Sequence, residues 1–270
     1  MPDMNQIVGS ADIALIVFDT LRFDVASTEF AAGNTPNLKK LFPHGWEKRH
    51  SPGSFTYAAH HAFFAGFLPT PSDPTASQER LFATEFAGSE TSGGSTRTFR
   101  EANIVAGLRS EGYLTLCVGG VGFFNQQTEL SRVFPAMFDE AFWSPELGVT
   151  NPQSTENQIT RLEEKLTQIP ENQPLFTYLN ISAIHQPNCH YSPGKESDDL
   201  ESHAAALRYV DSQIPRLLSL FQNRSDTFLI ACSDHGTLYG EEGFTGHRVG
   251  HEAVFTVPYA EAFLPHNRVS

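Results

Sequence analysis

The stretch Thr227-Phe228-Leu229-Ile230-Ala231-Cys232-Ser233-Asp234-His235-Gly236 decides how this chain is read. Its first half is a short apolar run of the kind that forms a buried strand. A carboxylate and an imidazole follow side by side where that strand ends, and Gly236 releases the chain into a turn. In open α/β sheets ligands collect outside the carboxyl ends of the strands. Asp plus His is a ligand pair suited to Zn or Mn. The same residues also suit an ordinary capped loop.

The N-terminal part repeats this arrangement. The run Ile13–Phe18 is followed at once by Asp19-Thr20-Leu21-Arg22. Asp19 either caps a following helix or ends a strand beside Asp234, so that the two carboxylates share one cation. A third segment, Ser54 to Pro69, reads as a turn and then a helix from about Tyr57 to Ala65, stopped by Gly66. Thr56 is then a candidate N-cap. A hydroxyl at a helix N-terminus is also where an anion is welcome, and a metal that lowers its pKa would let Thr56 attack phosphorus.

Further strands are expected at Thr115–Val118, Leu175–Ile181 and Phe228–Cys232, and helices at Phe99–Glu111, Thr155–Gln168 and Ser202–Gln222. In Thr155–Gln168, Ile159, Leu162 and Leu166 fall at helical spacing. Strands alternating with helices indicate an α/β fold: a doubly wound, mostly parallel sheet with helices on both faces. With 270 residues and 40% hydrophobic content, one compact domain over residues 1–270 is expected. Thr70–Arg97, rich in Ser, Thr, Gly and Pro, reads as a long loop, and Pro187–Asp199 as a second polar loop.

Several of these segments together resemble the alkaline phosphatase superfamily, in its sulfatase-like and phosphonate or phosphodiester hydrolase branch. The segments are Asp19-Thr20-Leu21-Arg22, Thr35-Pro36-Asn37-Leu38, Thr56 with Gly66 ten residues on, Ser182-Ala183-Ile184-His185-Gln186-Pro187, Ser233-Asp234-His235-Gly236, and Glu252 with Pro258 six residues later. They occur in the family's order from about Ala11 to Pro258. The resemblance implies an alkaline-phosphatase-like fold and a metal-dependent enzyme. Asp19, Thr56, Asp234 and His235 would hold one divalent cation, Mn²⁺ or Zn²⁺. Thr56 would be the nucleophile, with His185 and His247 as substrate contacts. The expected substrate is a small phosphate or phosphonate ester. The expected reaction is hydrolysis, with transfer to an alcohol or glycan acceptor as the alternative. A non-catalytic binding module with a relict site is a third reading.

The departures from the family narrow this. Sulfatases convert Cys or Ser to formylglycine, and here Thr56 stands in that place. His247 occupies a position where they carry Lys, His60 one where they carry Arg, and glycines of Cys117-Val118-Gly119-Gly120 replace a Lys and a His. Phosphoryl transfer is therefore expected and sulfate-ester hydrolysis is not. Phosphate contacts would come from histidines, with affinity weakening as pH rises through neutrality. A second metal would lack a carboxylate, because Ile181 stands where two-metal relatives have Asp.

A net charge of −13 argues against a nucleic acid polymer as partner. No apolar run reaches the roughly 20 residues of a membrane span. Residues 1–9 lack a basic start and a long apolar segment, and the three cysteines are scattered; a cytoplasmic protein with reduced thiols is the expectation. His190 and His203 are expected in solvent. One of His60 and His61 would face the site or both would lie on the surface. Asp12 and Asp24 are expected to be caps, Arg22 to neutralise Asp19 or Asp24, and Asp211 to be structural.

Overall fold

In the computed structural model, which describes residues 3–66 and 103–267, the expected run forms a strand, Thr227–Cys232, beside the strand Asp12–Phe18. The strands in chain order are β1 (Asp12–Phe18), β2 (Glu47–His50), β3 (Leu114–Val118), β4 (Glu140–Phe142), β5 (Leu175–Ile181), β6 (Thr227–Cys232), β7 (Leu238–Tyr239), β8 (Thr245–Gly246) and β9 (Thr256–Leu264). Seven of them form one sheet in the order β2-β9-β6-β1-β5-β3-β4. The pairs from β6 to β4 are parallel, while β9 runs antiparallel to both β6 and β2. The expected doubly wound, mostly parallel sheet is what the chain forms.

Side chains alternate along a strand, so each strand feeds two layers. From β1, Ala14, Ile16 and Phe18 enter one core beneath the helices Ser154–Leu166 and Leu200–Gln222. Ile13 and Val17 enter the other, beneath the helices Thr56–Ala65 and Ile104–Ser110. No helix among the described residues is long and apolar enough to cross a membrane.

The sequence reading missed β2, β4 and β9. β4 has three residues and β2 (Glu-Lys-Arg-His) is wholly exposed at the sheet edge, so neither carries an apolar signal. β9 contains Pro258, which argues against a strand. That proline lies just before Tyr259, the partner of Cys232 at the end of β6, and so takes no donor from the β6 ladder. The helix expected from Phe99 begins at Ile104 among the described residues, and the expected loop Thr70–Arg97 lies outside them.

Asp12 is not a helix cap. It is the first residue of β1, accepts the Leu175 N–H at 2.8 Å and pairs with Arg224 Nε at 3.1 Å, both side chains being buried. Arg224 also donates to the carbonyls of Ile169, Pro170 and Gln173, which ties β1 to the loop entering β5. Arg224→Ala leaves Asp12 Oδ2 and three carbonyls without the guanidinium donor. The expected loss is about 3–5 kcal/mol of unfolding free energy, read from denaturant midpoints, against less than about 1 kcal/mol for an exposed pair such as Lys48–Glu252.

Candidate metal centre

Register brings the distant acids together. Phe18 pairs with Ile181 and Val17 with Cys232, so β1, β5 and β6 end at one level. The chain continues from β1 into Asp19, whose N–H donates to Ile181 O at 3.0 Å. Thr20 then adopts φ 63°, a left-handed conformation that costs a β-branched residue about 1–3 kcal/mol. That turn aims the Thr20 N–H at Asp234 Oδ1, 3.2 Å away, which also accepts the His235 N–H at 3.0 Å. Gly236 allows the loop beyond β6 to pass close to the chain: a Cβ there would meet the Ala253 carbonyl oxygen at 2.0 Å.

Asp19, Asp234 and His235 are fully buried, and one ligand atom of each lies within 4.8 Å of the others. His235 Nδ1–H donates to the Gly236 carbonyl at 2.9 Å, which leaves the Nε2 lone pair facing the cluster. Nε2 stands 3.4 Å from Asp234 Oδ2, 3.9 Å from Asp19 Oδ1 and 3.4 Å from Thr56 Oγ1. Thr56 Oγ1 is also 3.4 Å from Asp19 Oδ2. Asp19 Oδ1 and Asp234 Oδ2 are buried with no hydrogen-bond partner. Two orphaned carboxylate oxygens in a buried site are costly unless a cation occupies it. Oxygen and nitrogen donors about 2.0–2.2 Å from a tetrahedral ion lie about 3.3–3.6 Å apart, so this donor set fits a zinc-like cation.

Burial and the charge of Asp234 push the Asp19 carboxyl up, and burial pushes Asp234 up to about 7. Burial lowers the His235 imidazole, which favours its neutral, ligating form. Because the carboxyls must be deprotonated to bind a cation, metal affinity is expected to fall as pH drops through about 7. Zinc titration at stepped pH would check this.

Thr56 is the first residue of the helix Thr56–Ala65, not its N-cap; Phe55 holds that place without a side-chain bond. The Thr56 hydroxyl is turned to Asp19 and His235 instead. His247 packs against His235 with ring centres 4.6 Å apart, and His185 against His247 at 5.6 Å. The three predicted histidines of the site are thus brought together. Burial, with His235 and His185 beside it, pushes His247 down to about 3, so it enters as a neutral ring. This runs against the expected titration near neutrality.

Of the other expectations, those for His60 and His203 are corrected, while those for Asp211 and for Arg22 with Asp24 hold. His60 is neither on the surface nor a phosphate contact: it is fully buried beneath Thr56, its Nδ1 2.7 Å from Thr56 O and its Nε2 bonded to the Tyr178 hydroxyl. His203, expected in solvent, is also fully buried, with Nε2 accepting the Arg22 N–H at 3.4 Å and Nδ1 bonded to the Tyr239 hydroxyl at 2.8 Å. Both are on buried helix faces, which sequence position alone does not reveal. Arg22 pairs with Asp24 and Glu241 and leaves Asp19 alone. His251 caps the short helix Glu252–Phe255, its Nδ1 accepting the Ala253 N–H at 3.0 Å. Asp211 is structural, accepting from the Leu38 N–H at 2.7 Å.

Asn180, unremarked in the sequence, supports Asp19. Its Oδ1 accepts from the N–H groups of Gly120 and Val121 at 3.3 and 3.1 Å, which fixes the amide so that Nδ2 donates to Asp19 Oδ2 at 3.0 Å. A Cβ at Gly120 would come within 2.5 Å of the Asn180 carbonyl oxygen, so glycine is needed there. The one available signal was an amide at the penultimate position of a mostly apolar strand. Asn180→Ala frees Asp19 and is expected to weaken zinc affinity about 10- to 100-fold in a chelator competition.

The model of the family described as Sulfatase matches residues 11–260. The chain belongs to the sulfatase family. No curated protein matches this sulfatase-family chain. Among solved structures, it is similar to the soluble domain of lipooligosaccharide phosphoethanolamine transferase A from Neisseria meningitidis, with 16% identity over 94% of this chain and 77% of that one and a TM-score of 0.65. A complex with Zn of the C-terminal periplasmic domain of EcEptC from Escherichia coli shares 12% identity over 94% and 73%, with a TM-score of 0.62. A protein in the alkaline phosphatase superfamily from Vibrio parahaemolyticus shares 17% identity over 96% and 62%, with a TM-score of 0.55. These likenesses establish the alkaline-phosphatase-like fold of the sulfatase-family chain.

Proposed function

We propose that this chain is a metal-dependent phosphoesterase in which Thr56 attacks phosphorus. The observation that carries the reading is the Thr56 hydroxyl 3.4 Å from both Asp19 Oδ2 and His235 Nε2, beside two buried carboxylate oxygens without partners. Asp19, Asp234, His235 and Thr56 would hold one divalent cation, Zn²⁺ or Mn²⁺. That cation supplies Lewis-acid stabilisation of the deprotonated Thr56 oxygen.

The chain's own residues carry the rest. Asp19 orients the Thr56 hydroxyl and accepts its hydrogen bond. The Thr56 hydroxyl gives its proton to solvent and its oxygen forms a bond to phosphorus while the bond to the leaving oxygen breaks; the leaving oxygen takes the electron pair and then a proton from water. His185 and His247 present N–H groups to the equatorial oxygens. Water then attacks the phosphothreonine and regenerates the hydroxyl.

A second reading, transfer to an alcohol or glycan acceptor instead of water, is favoured by the phosphoethanolamine transferase among the fold neighbours. The substrate is a small phosphate or phosphonate ester, with no nucleic acid polymer as partner. A cytoplasmic location stays part of this proposal.

The test is a panel of phosphate monoesters, diesters, phosphonates and an aryl sulfate, run with Zn²⁺ and Mn²⁺, with products analysed with and without added alcohol. Metal-dependent turnover of a phosphorus ester is expected. Turnover of the aryl sulfate alone, or none of the panel, would overturn the reading.

A further inference from the structure

We infer that Arg248 is the cationic contact for the substrate's phosphate, a role the sequence suggested for histidines. The inference rests on the phosphoesterase reading and names a residue which that reading does not use.

Arg248 directly follows His247, whose ring packs on His235. Its backbone is held by a bond from its N–H to Ser54 O at 2.9 Å, two residues before Thr56. Its φ is 72°, a conformation that an ordinary arginine in a loop avoids. The guanidinium lies over the Phe55 ring, 4.8 Å from its centre, and Phe55 leads directly into Thr56. The side chain is thus placed against the segment that carries the proposed nucleophile.

Among the described residues its charge is uncommitted: Arg248 forms no ion pair or side-chain hydrogen bond with any of them. Every other described arginine does: Arg22, Arg49, Arg109, Arg161, Arg208, Arg216 and Arg224 meet carboxylates, and Arg132 donates to Gln126 O. This is unusual in a chain with 31 acids against 18 lysines and arginines. Arg22, which follows β1 at this end of the sheet, is engaged by Asp24 and Glu241. A guanidinium held against the segment that leads into Thr56, with no partner for its donors among the described residues, fits the non-bridging oxygens of a phosphate.

The test titrates inorganic phosphate into zinc-loaded parent, Arg248→Ala and Arg248→Lys proteins by calorimetry. Zinc affinity and melting temperature are measured alongside. Phosphate affinity is expected to fall about 10- to 100-fold in Arg248→Ala and to recover partly in Arg248→Lys, with zinc affinity and melting temperature at parent values. If a phosphorus ester is turned over, its KM should rise by the same factor. Equal phosphate affinity in parent and Arg248→Ala, or no phosphate binding to the parent, overturns the inference. Phosphate binding that depends on Arg248, without ester turnover by the parent, upholds this contact and sinks the catalytic reading instead.

Discussion

Thr56→Ala is expected to lower turnover of any phosphorus ester by about 1,000-fold or more, while the protein keeps its fold and its metal. The nucleophile is lost outright, and neither Asp19 nor His235 can replace an oxygen placed at the start of the helix Thr56–Ala65. The structural cost is small, because Thr56 makes no capping bond to the backbone and alanine is a good helix former. A change of about 1 kcal/mol or less in unfolding free energy is expected. Asp19, Asp234 and His235 remain, so zinc binding weakens only modestly. Rapid-mixing kinetics, and a search for a phosphothreonine adduct by mass spectrometry in parent and variant, would check both parts. Parent-level turnover in Thr56→Ala would move the chemistry to an attacking water, without a covalent intermediate.

Asp234→Asn is expected to have opposite effects on metal and fold. The amide keeps an oxygen for the Thr20 and His235 N–H groups, so the local turn survives. It loses the anionic oxygen that faces the cluster without a partner. Zinc affinity should fall by at least about 100-fold, more than for a residue that only supports a ligand. The metal-free protein should gain stability. Burial raises the Asp234 carboxyl from 3.8 to about 7 in the folded state, so the fold holds its proton more tightly than the unfolded chain does. An acid shifted in that direction makes the metal-free fold lose stability as pH rises from about 4 to about 7. Removing the charge recovers a loss on the order of a few kcal/mol above that window. Melting curves of metal-free parent and variant at pH 5 and pH 8 would show it. The curves should converge at the lower pH and separate at the higher one. A variant less stable than the parent at pH 8 would contradict the assignment.

Much of the fold was legible because the central strands are buried on both sides. β1, β5 and β6 read as continuous apolar runs, and the parallel arrangement follows from the helices between them. β2, β4 and β9 were not legible. An exposed edge strand, a three-residue strand and a strand interrupted by Pro258 carry no such signal, and only pairing with neighbours defines them.

The same division holds for the site. Asp19, Thr56, Asp234 and His235 could be picked out because each follows a strand or begins a helix, places where local sequence dictates backbone geometry. That His60 lies beneath Thr56, that Asn180 orients Asp19, and that Arg248 rests on Phe55 could not be read this way. The sequence by itself determined the α/β class, the order of the motifs and the residue types able to bind a metal. Only the tertiary structure decided which histidines are buried and neutral and which of the described arginines stays unpaired. Burial and charge pairing depend on contacts between residues such as Arg248 and Phe55, or Asn180 and Gly120, that lie far apart along the chain. No local pattern encodes those contacts.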